Sequence, residues 1–340
     1  MDTAISNISL VTVLMPVYNA EEYVKQAIES ILLQTYSNFE LLIIDDASTD
    51  ASVEAIHSLK DDRIRFIQNE KNLGLIGTLN KGFDLAKGKY IARMDNDDLA
   101  LPDRLKVQVD YLESHPEVGV FGSAYINLKD NVKGKTTTFL HNHDLLKSIL
   151  FFNSCMAHPT VMFRKEFIKK NNLKYTAGYT HAEDYEFWVR AIDKTQFSNA
   201  QEPLLLYRIH DKQTSNSESR AQQETASRIR LMMISKLGLQ PNETEMRIHN
   251  SIGNKLILKG FENIQYTEQW ILKLVKANSK THVVKEIPFN SYLAIVFQDV
   301  CANSSVGIKA YRFYNRSVLA QYSKKGFVFK LKLFFKCLLR

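Results

Sequence analysis

The feature that most constrains the fold is an alternation of short apolar, β-branched segments with amphipathic ones over the first hundred of 340 residues. Ser9–Val17 (SLVTVLMPV), Phe39–Asp45 (FELLIID), Arg63–Gln68 and Tyr90–Met94 read as strands. Between them, Glu21–Gln34, Ala51–Leu59 and Leu75–Ala86 repeat apolar residues at helical spacing, and Asp103–Ser114 follows Pro102 at a helix start. Glu21 and Glu22 are expected in a first helical turn, and Ser48, Thr49 and Asp50 offer caps. Strand–helix alternation predicts a mainly parallel sheet covered on both faces, with ligands bound beyond the carboxyl ends of its strands. Three polar clusters occupy such ends: Pro16–Asn19, Asp45–Asp50 and Asp95–Asp98.

After Val118 the pattern mixes strand-like pieces (Val118–Leu128, Thr136–Leu140, Thr160–Phe163, Pro203–Ile209) with short helices. From about Ser217 the chain reads as mostly helical, with breaks near Gly238–Asn242 and Asn278–Thr281. The expected division is 1–212, with halves of about 1–100 and 118–212, and a helical region 213–340. The 45% hydrophobic and 24% charged content excludes a disordered chain. No apolar run approaches the roughly 18 residues of a membrane span, and the N-terminal residues lack the basic stretch of a signal peptide. Three scattered cysteines predict neither a disulfide framework nor a thiolate zinc site, which points to a reducing, cytoplasmic compartment.

The net charge of +7 is unevenly placed. Nine of the 44 basic residues and none of the 37 acidic ones fall between Val300 and Arg340, so the body is nearly neutral. A nucleic-acid enzyme spreads positive charge over its main domain, so no nucleic-acid partner is expected. The end of the chain, KKGFVFKLKLFFKCLLR (Lys324–Arg340), places Phe327, Leu331, Phe334 and Leu338 on one helical stripe, with Lys325, Lys332, Lys336 and Arg340 roughly opposite. A basic amphipathic segment suits an anionic membrane surface, and a helix docked on the body is the plain alternative.

Met94-Asp95-Asn96-Asp97-Asp98 is the strongest chemical signal. Its carboxylates repel one another unless solvated or neutralised, and a hard cation such as Mn²⁺ or Mg²⁺ is a natural neutraliser. An acidic stretch before a helix is the alternative. Asp46 can accept a hydrogen bond from a base N–H, and Tyr18 offers an aromatic face. Glu183 and Asp184 precede an apolar helical pattern, where the helix dipole favours ionised carboxylates that could serve as a base; dipole-complementing surface acids are the alternative, which spacing alone favours. Arg208 and His210 alternate with Tyr207 and Ile209 and suit a phosphate-facing strand edge. His158 fits a core position, and His141, His143 and Asp144 fit a loop and cap.

In this order the clusters resemble a family 2 glycosyltransferase of the GT-A fold. The resemblance runs from about Ser9 to His210 and is carried by VTVLMPVYNAEEYVKQAIESILLQTYSNFELLIIDDASTD, NEKNLGLIGTLNKGFDLAKGKYIARMDNDDLALPDRLKVQVDYLESHPEVGVFGS and HAEDYEFWVRA. It implies inverting transfer from a nucleotide-sugar, by family habit a UDP-sugar, to a glycan or lipid-linked acceptor in bacterial surface polysaccharide synthesis. It assigns base binding to Pro16, Tyr18 and Asp46, the ribose and diphosphate region to Asp95, and a divalent cation to Asp97 and Asp98. Asp184 is the implied catalytic base, with Glu183 its neighbour, and Arg93 and Lys71 lie near the nucleotide. Peripheral attachment to the inner face of the cytoplasmic membrane would suit a lipid-linked acceptor. The competing readings are another nucleotide-using α/β enzyme, such as a nucleotidyltransferase, and a non-catalytic binding protein. Against the first, the Rossmann glycine fingerprint and the Walker A loop are both missing.

Overall fold

The computed structural model describes residues 9–210, 219–323 and 334–338. Val11–Val17 (β1) is buried at every position, as a strand covered on both faces must be. It pairs in parallel with Phe39–Asp45 (β2) and with Tyr90–Arg93 (β4), and β2 pairs in parallel with Ile64–Gln68 (β3). Their carboxyl ends therefore share one edge of the sheet. Helices Val24–Leu32 (α1), Ser52–His57 (α2) and Gly74–Leu85 (α3) are the connections. A Cβ on Gly82 of α3 would lie 2.3 Å from a Leu14 methyl carbon, so glycine sets how closely this helix approaches β1.

The second half of the sheet is mixed. The order is β3-β2-β1-β4-β8-β6-β9-β5, where β5 is Leu99–Ala100, β6 Val118–Lys129, β8 Met162–Arg164 and β9 Gln196–Arg208. Val132–Thr137 (β7) pairs with β6 off this path. β8 runs antiparallel to β4 and β6, whereas β6 and β9 are parallel. The expected mainly parallel sheet thus holds across β3-β2-β1-β4 and again at β6-β9, with β8 the antiparallel strand between. Helix Arg104–Ser114 (α4) packs its buried Leu105, Val109 and Leu112 into the same core as β1.

Several boundaries differ from expectation for local reasons. Helix α1 begins at Val24, so Glu21 and Glu22 precede it. Glu21 instead accepts a hydrogen bond from the Ala51 amide (2.9 Å), and its own amide donates to Asp50 Oδ2 (3.1 Å). It thereby ties the start of α2 rather than complementing α1. Strand β9 starts well before Pro203, and β7 lies N-terminal of the expected Thr136–Leu140.

The chain divides into two compact units: an α/β unit of 1–142 with 155–219, and a helical unit of 143–154 with 220–340. The stretch 143–154, which includes helix His143–Ile149 (α5), joins a unit that is otherwise distant in sequence. Reading along the chain placed it with the first unit. Within the helical unit Arg230 is fully buried and donates to Phe152 O (2.7 Å), Asn250 Oδ1 (3.0 Å) and Asn254 Oδ1 (2.8 Å). His249 contacts Phe151 O through Nε2 (2.7 Å), and its Nδ1 accepts from the Trp270 indole (3.0 Å). Those two bonds suit the neutral ring, and burial pushes its pKa down to about 3.

Helix Phe261–Thr281 ends at the last residue of the expected break near Asn278–Thr281, and the next helix starts at Glu286. The side chain of Asn278 then holds the turn after it through both the amide and the carbonyl of Val284 (2.9 Å each). A further break, which the sequence did not signal, lies between helices Glu243–Gly253 and Phe261–Thr281. Of the predicted C-terminal stripe, Phe327 and Leu331 lie outside the described residues. Phe334–Leu338 is helical, with Phe334 against Tyr311 (centroids 5.3 Å) and Leu338 exposed.

Candidate active site

Strand β4 delivers Arg93 buried at its end, and the chain then turns through Asp95, Asp97 and Asp98. One ligand-capable oxygen from each carboxylate lies within 4.8 Å of the others. The turn is pinned to the end of β1 by Asn96, whose amide donates to Pro16 O (3.0 Å). Asp98 is fully buried. Its Oδ1 accepts from the Arg208 amide (2.9 Å), while Oδ2 has no hydrogen-bond partner. Burial, reinforced by Asp97 and Asp95, holds its carboxyl well above the usual range. Burial also raises Asp95, against the opposing pull of the Arg93 guanidinium paired with it.

Residues from the far end of β9 close this turn. Arg208 donates from Nε to the Asp97 carbonyl (2.7 Å) and from Nη2 to Gln26 Oε1 (2.8 Å). Its guanidinium lies 4.6 Å over the Tyr23 ring. His210 Nε2 is 3.0 Å from Asp97 Oδ2, and its ring is 5.0 Å from that of Tyr23. Residues more than a hundred positions apart in sequence thus meet on one acidic turn. Their alternation along the chain suggested a cleft, and the structure places them against the acids themselves.

Arg104 was not singled out in the sequence. It is fully buried and donates to the Arg93 carbonyl (2.5 Å) and to Met94 Sδ (3.0 Å). Burial lowers its pKa to about 10, with Asp98 and Asp95 opposing the fall. It sits at the first position of α4, and no motif separates it from an ordinary surface arginine.

The base-binding candidates lie on neighbouring strand ends. Tyr18 follows β1 and is 48% exposed, leaving its ring accessible. Asp46 follows β2 and is buried. Its Oδ1 accepts from Asn69 Nδ2 (2.7 Å) and the Leu73 amide (2.8 Å). Those bonds tether the loop between β3 and α3, on which Lys71 is exposed. Asn19 and Ala47 adopt positive φ (48° and 61°), turning the chain sharply just past β1 and β2.

Glu183 and Asp184 open helix Glu183–Ala191 (α7). Asp184 is half-buried, and its Oδ1 accepts from the Tyr185 amide (2.7 Å). Glu183 is buried, and its pKa rises to about 7, chiefly through burial and then through Asp184. Each pKa unit corresponds to about 1.4 kcal/mol, so this shift outweighs the roughly 0.3–1 kcal/mol of a helix dipole. Burial therefore opposes the dipole at Glu183. Arg93 and Asp95 are both electrostatically coupled to Glu183. Tyr175, buried and bonded to His158 Nε2 (2.7 Å), feels Arg93, Asp184, Glu183 and Asp95. The acidic turn and the start of α7 therefore lie within electrostatic reach of the same buried Tyr175. Tyr175 carried no sequence signal, and His158 proves to be its buried partner, with a pKa held well below the usual histidine value by burial.

The three carboxylates form a hard oxygen donor set, and the buried Oδ2 of Asp98 has no hydrogen-bond partner. Both features fit a divalent cation such as Mn²⁺ or Mg²⁺.

Comparison with known proteins gives this geometry a family. Glycosyl transferase family 2 matches residues 12–171. An uncharacterised glycosyltransferase of Haemophilus influenzae is 31% identical over 306 residues, covering 85% of this chain and 87% of the relative. The O-antigen biosynthesis glycosyltransferase WbnJ of Escherichia coli is 35% identical over 219 residues, covering 62% of this chain and 84% of WbnJ. Among solved structures, S. aureus TarS 1–349 in complex with UDP-GlcNAc shares the fold, with a TM-score of 0.56 and 17% identity over 92% of this chain and 89% of that one. A relative matched along nearly its whole length, together with acids gathered at the ends of a GT-A sheet, makes this chain a glycosyltransferase of family 2.

Proposed function

We propose that the chain transfers a sugar, with inversion, from a UDP-sugar to a hydroxyl of a glycan or lipid-linked acceptor in bacterial surface polysaccharide synthesis. The observation that carries this reading is the convergence of Asp95, Asp97 and Asp98 with Arg208 and His210 on one turn past the end of β4. The name of WbnJ supports the polysaccharide context, and the nucleotide-sugar in the TarS complex supports the donor class.

Asp97 and Asp98, with His210 beside Asp97, would hold a divalent cation, Mn²⁺ or Mg²⁺, which when bound neutralises charge on the departing diphosphate. Pro16, Tyr18 and Asp46 form the base end of the donor site, and Lys71 lies on the loop that Asp46 tethers. Asp184 takes the proton from the acceptor hydroxyl. The oxygen then attacks the anomeric carbon as the bond to the diphosphate breaks on the opposite face, in a single displacement. Asp184 suits this role better than Glu183. It is accessible at the helix start, whereas Glu183 is buried and half-protonated near neutral pH. The basic segment Lys324–Arg340 serves as a peripheral membrane contact. Within the described residues no helix is long and apolar enough to cross a membrane.

Nucleotide release from a panel of UDP-, GDP- and dTDP-sugars tests the reading. UDP release that requires Mn²⁺ or Mg²⁺ and stops with chelator is expected. Metal-independent turnover would overturn the cation assignment, and turnover confined to another nucleotide would overturn the donor.

A further inference from the structure

The two units differ sharply in charge. By sequence the helical unit carries 21 Lys or Arg against 8 Asp or Glu, and the α/β unit 23 against 29. Within the helical unit, one loop combines exposed apolar side chains with this positive charge. Between Gly253 and Phe261 the chain reads NKLILKG, where Leu256 is 58% and Ile257 53% exposed, flanked by exposed Lys255 and Lys259.

The loop is built rather than loose. The Leu256 amide donates to Ser251 O (2.8 Å) and the Lys255 amide to Ile252 O (3.1 Å), a Schellman-type helix ending. Lys255 occupies the left-handed position (φ 54°) that ordinarily takes glycine. At the other end Asn263 donates to the Lys259 carbonyl (2.5 Å) and accepts from the Arg247 guanidinium (2.9 Å). Lys309 lies 4.0 Å over the Phe261 ring, and its helix, Ile308–Arg316, places exposed Arg312 and Arg316 on the same face at helical spacing. Glu262 is the one acid in the first turn of the following helix.

A leucine and an isoleucine presented to solvent, flanked by Lys255 and Lys259, with Arg247 and Lys309 against the start of the next helix, match an anionic phospholipid surface: apolar tips for the acyl boundary, ammonium and guanidinium groups for the phosphates. Neither a nucleic acid nor an anionic glycan would use the apolar tips. We infer that the 255–259 loop, with Arg247 and Lys309 beside it, docks the helical unit on an anionic bilayer. This deepens the peripheral-membrane reading given for the Lys324–Arg340 segment, and it locates a second, separately testable contact.

The test is co-sedimentation of the full chain with phosphatidylcholine vesicles with and without phosphatidylglycerol. The native chain is expected to pellet only with phosphatidylglycerol. Lys255→Gln with Lys259→Gln should weaken partitioning by about tenfold or more, and Leu256→Ser with Ile257→Ser by about tenfold. Both variants should keep the native melting temperature and native turnover on a water-soluble acceptor. Glutamine at Lys324, Lys325, Lys330 and Lys332 probes the tail alone. If the loop variants pellet like the native chain, the inference is wrong, whatever the tail variant does. If the native chain pellets with neither vesicle, both membrane contacts fail. Concentration-dependent dimers abolished by the loop variants, or an oligonucleotide complex without vesicle binding, would assign the surface to another partner and overturn the proposal.

Discussion

The two units bury charge in opposite ways. In the helical unit the fully buried Arg230 is matched by three acceptors, and both nitrogens of His249 are bonded. In the α/β unit, buried charged groups keep partnerless atoms: Asp98 Oδ2, Arg93 Nε and Asp45 Oδ1. Asp45 and Arg93 are the last residues of β2 and β4, and Asp98 ends the turn that follows β4. Among the described residues of the helical unit, the partnerless buried side-chain atoms are Asn290 Oδ1 and Gln298 Oε1, both neutral amide oxygens. A satisfied buried ion serves the fold, since leaving it unmatched is costly. An unsatisfied one persists where a ligand completes it, so the comparison separates scaffold from site without reference to motifs.

The largest expected effect sharpens the scaffold side. Arg230→Met should destabilise the helical unit by about 3 kcal/mol or more, because three acceptors lose their donor. The chain's two tryptophans, Trp188 and Trp270, lie one in each unit, so single-tryptophan variants report the units separately. A Trp270 transition unchanged by Arg230→Met would break the comparison.

Asp98→Asn should act the other way. Its amide oxygen can still accept from the Arg208 amide, while the buried charge is gone. Metal-dependent donor binding, measured by calorimetry, should weaken at least about tenfold, while stability at pH 8 rises by about 1 kcal/mol. Loss of both stability and binding would mean that Asp98 belongs to the scaffold.

A smaller effect concerns Glu183. Its pKa of about 7 in the folded chain lies above the ordinary 4.5, so the folded state holds the proton more tightly. The associated stability is full below pH 4.5 and is lost as pH rises through about 7. Glu183→Gln should therefore raise the melting temperature at pH 8 and leave it unchanged at pH 4.5. His249 has the opposite sign. With a folded pKa of about 3 against 6.5, it contributes stability above pH 6.5 that is lost as pH falls toward 3. Thermal melts of the Trp270 signal across that range check it, and a flat profile would contradict the burial argument.

Much of the α/β unit was legible because its strands are buried on both faces. Such strands read as continuous apolar runs, and polar residues just past them stand out. Phe39–Asp45 matched its predicted bounds, and Asp95, Asp97 and Asp98 were found this way. What stayed hidden depends on contacts distant in sequence. Tyr175 and Arg104 acquire meaning only from what burial places beside them. The 143–154 stretch joins the helical unit through packing that no local pattern encodes. The break at 254–260 carries lysine, not glycine, at its left-handed position, so the usual helix-stop signal is missing.

Asp184→Asn tests the central claim most directly, with nucleotide-sugar binding and sugar transfer measured on one preparation. Donor affinity should stay within about threefold, because the proposed donor site is at the strand ends, while transfer falls by about 10²–10⁴-fold, the range for a lost general base. Transfer at the native rate would contradict the account.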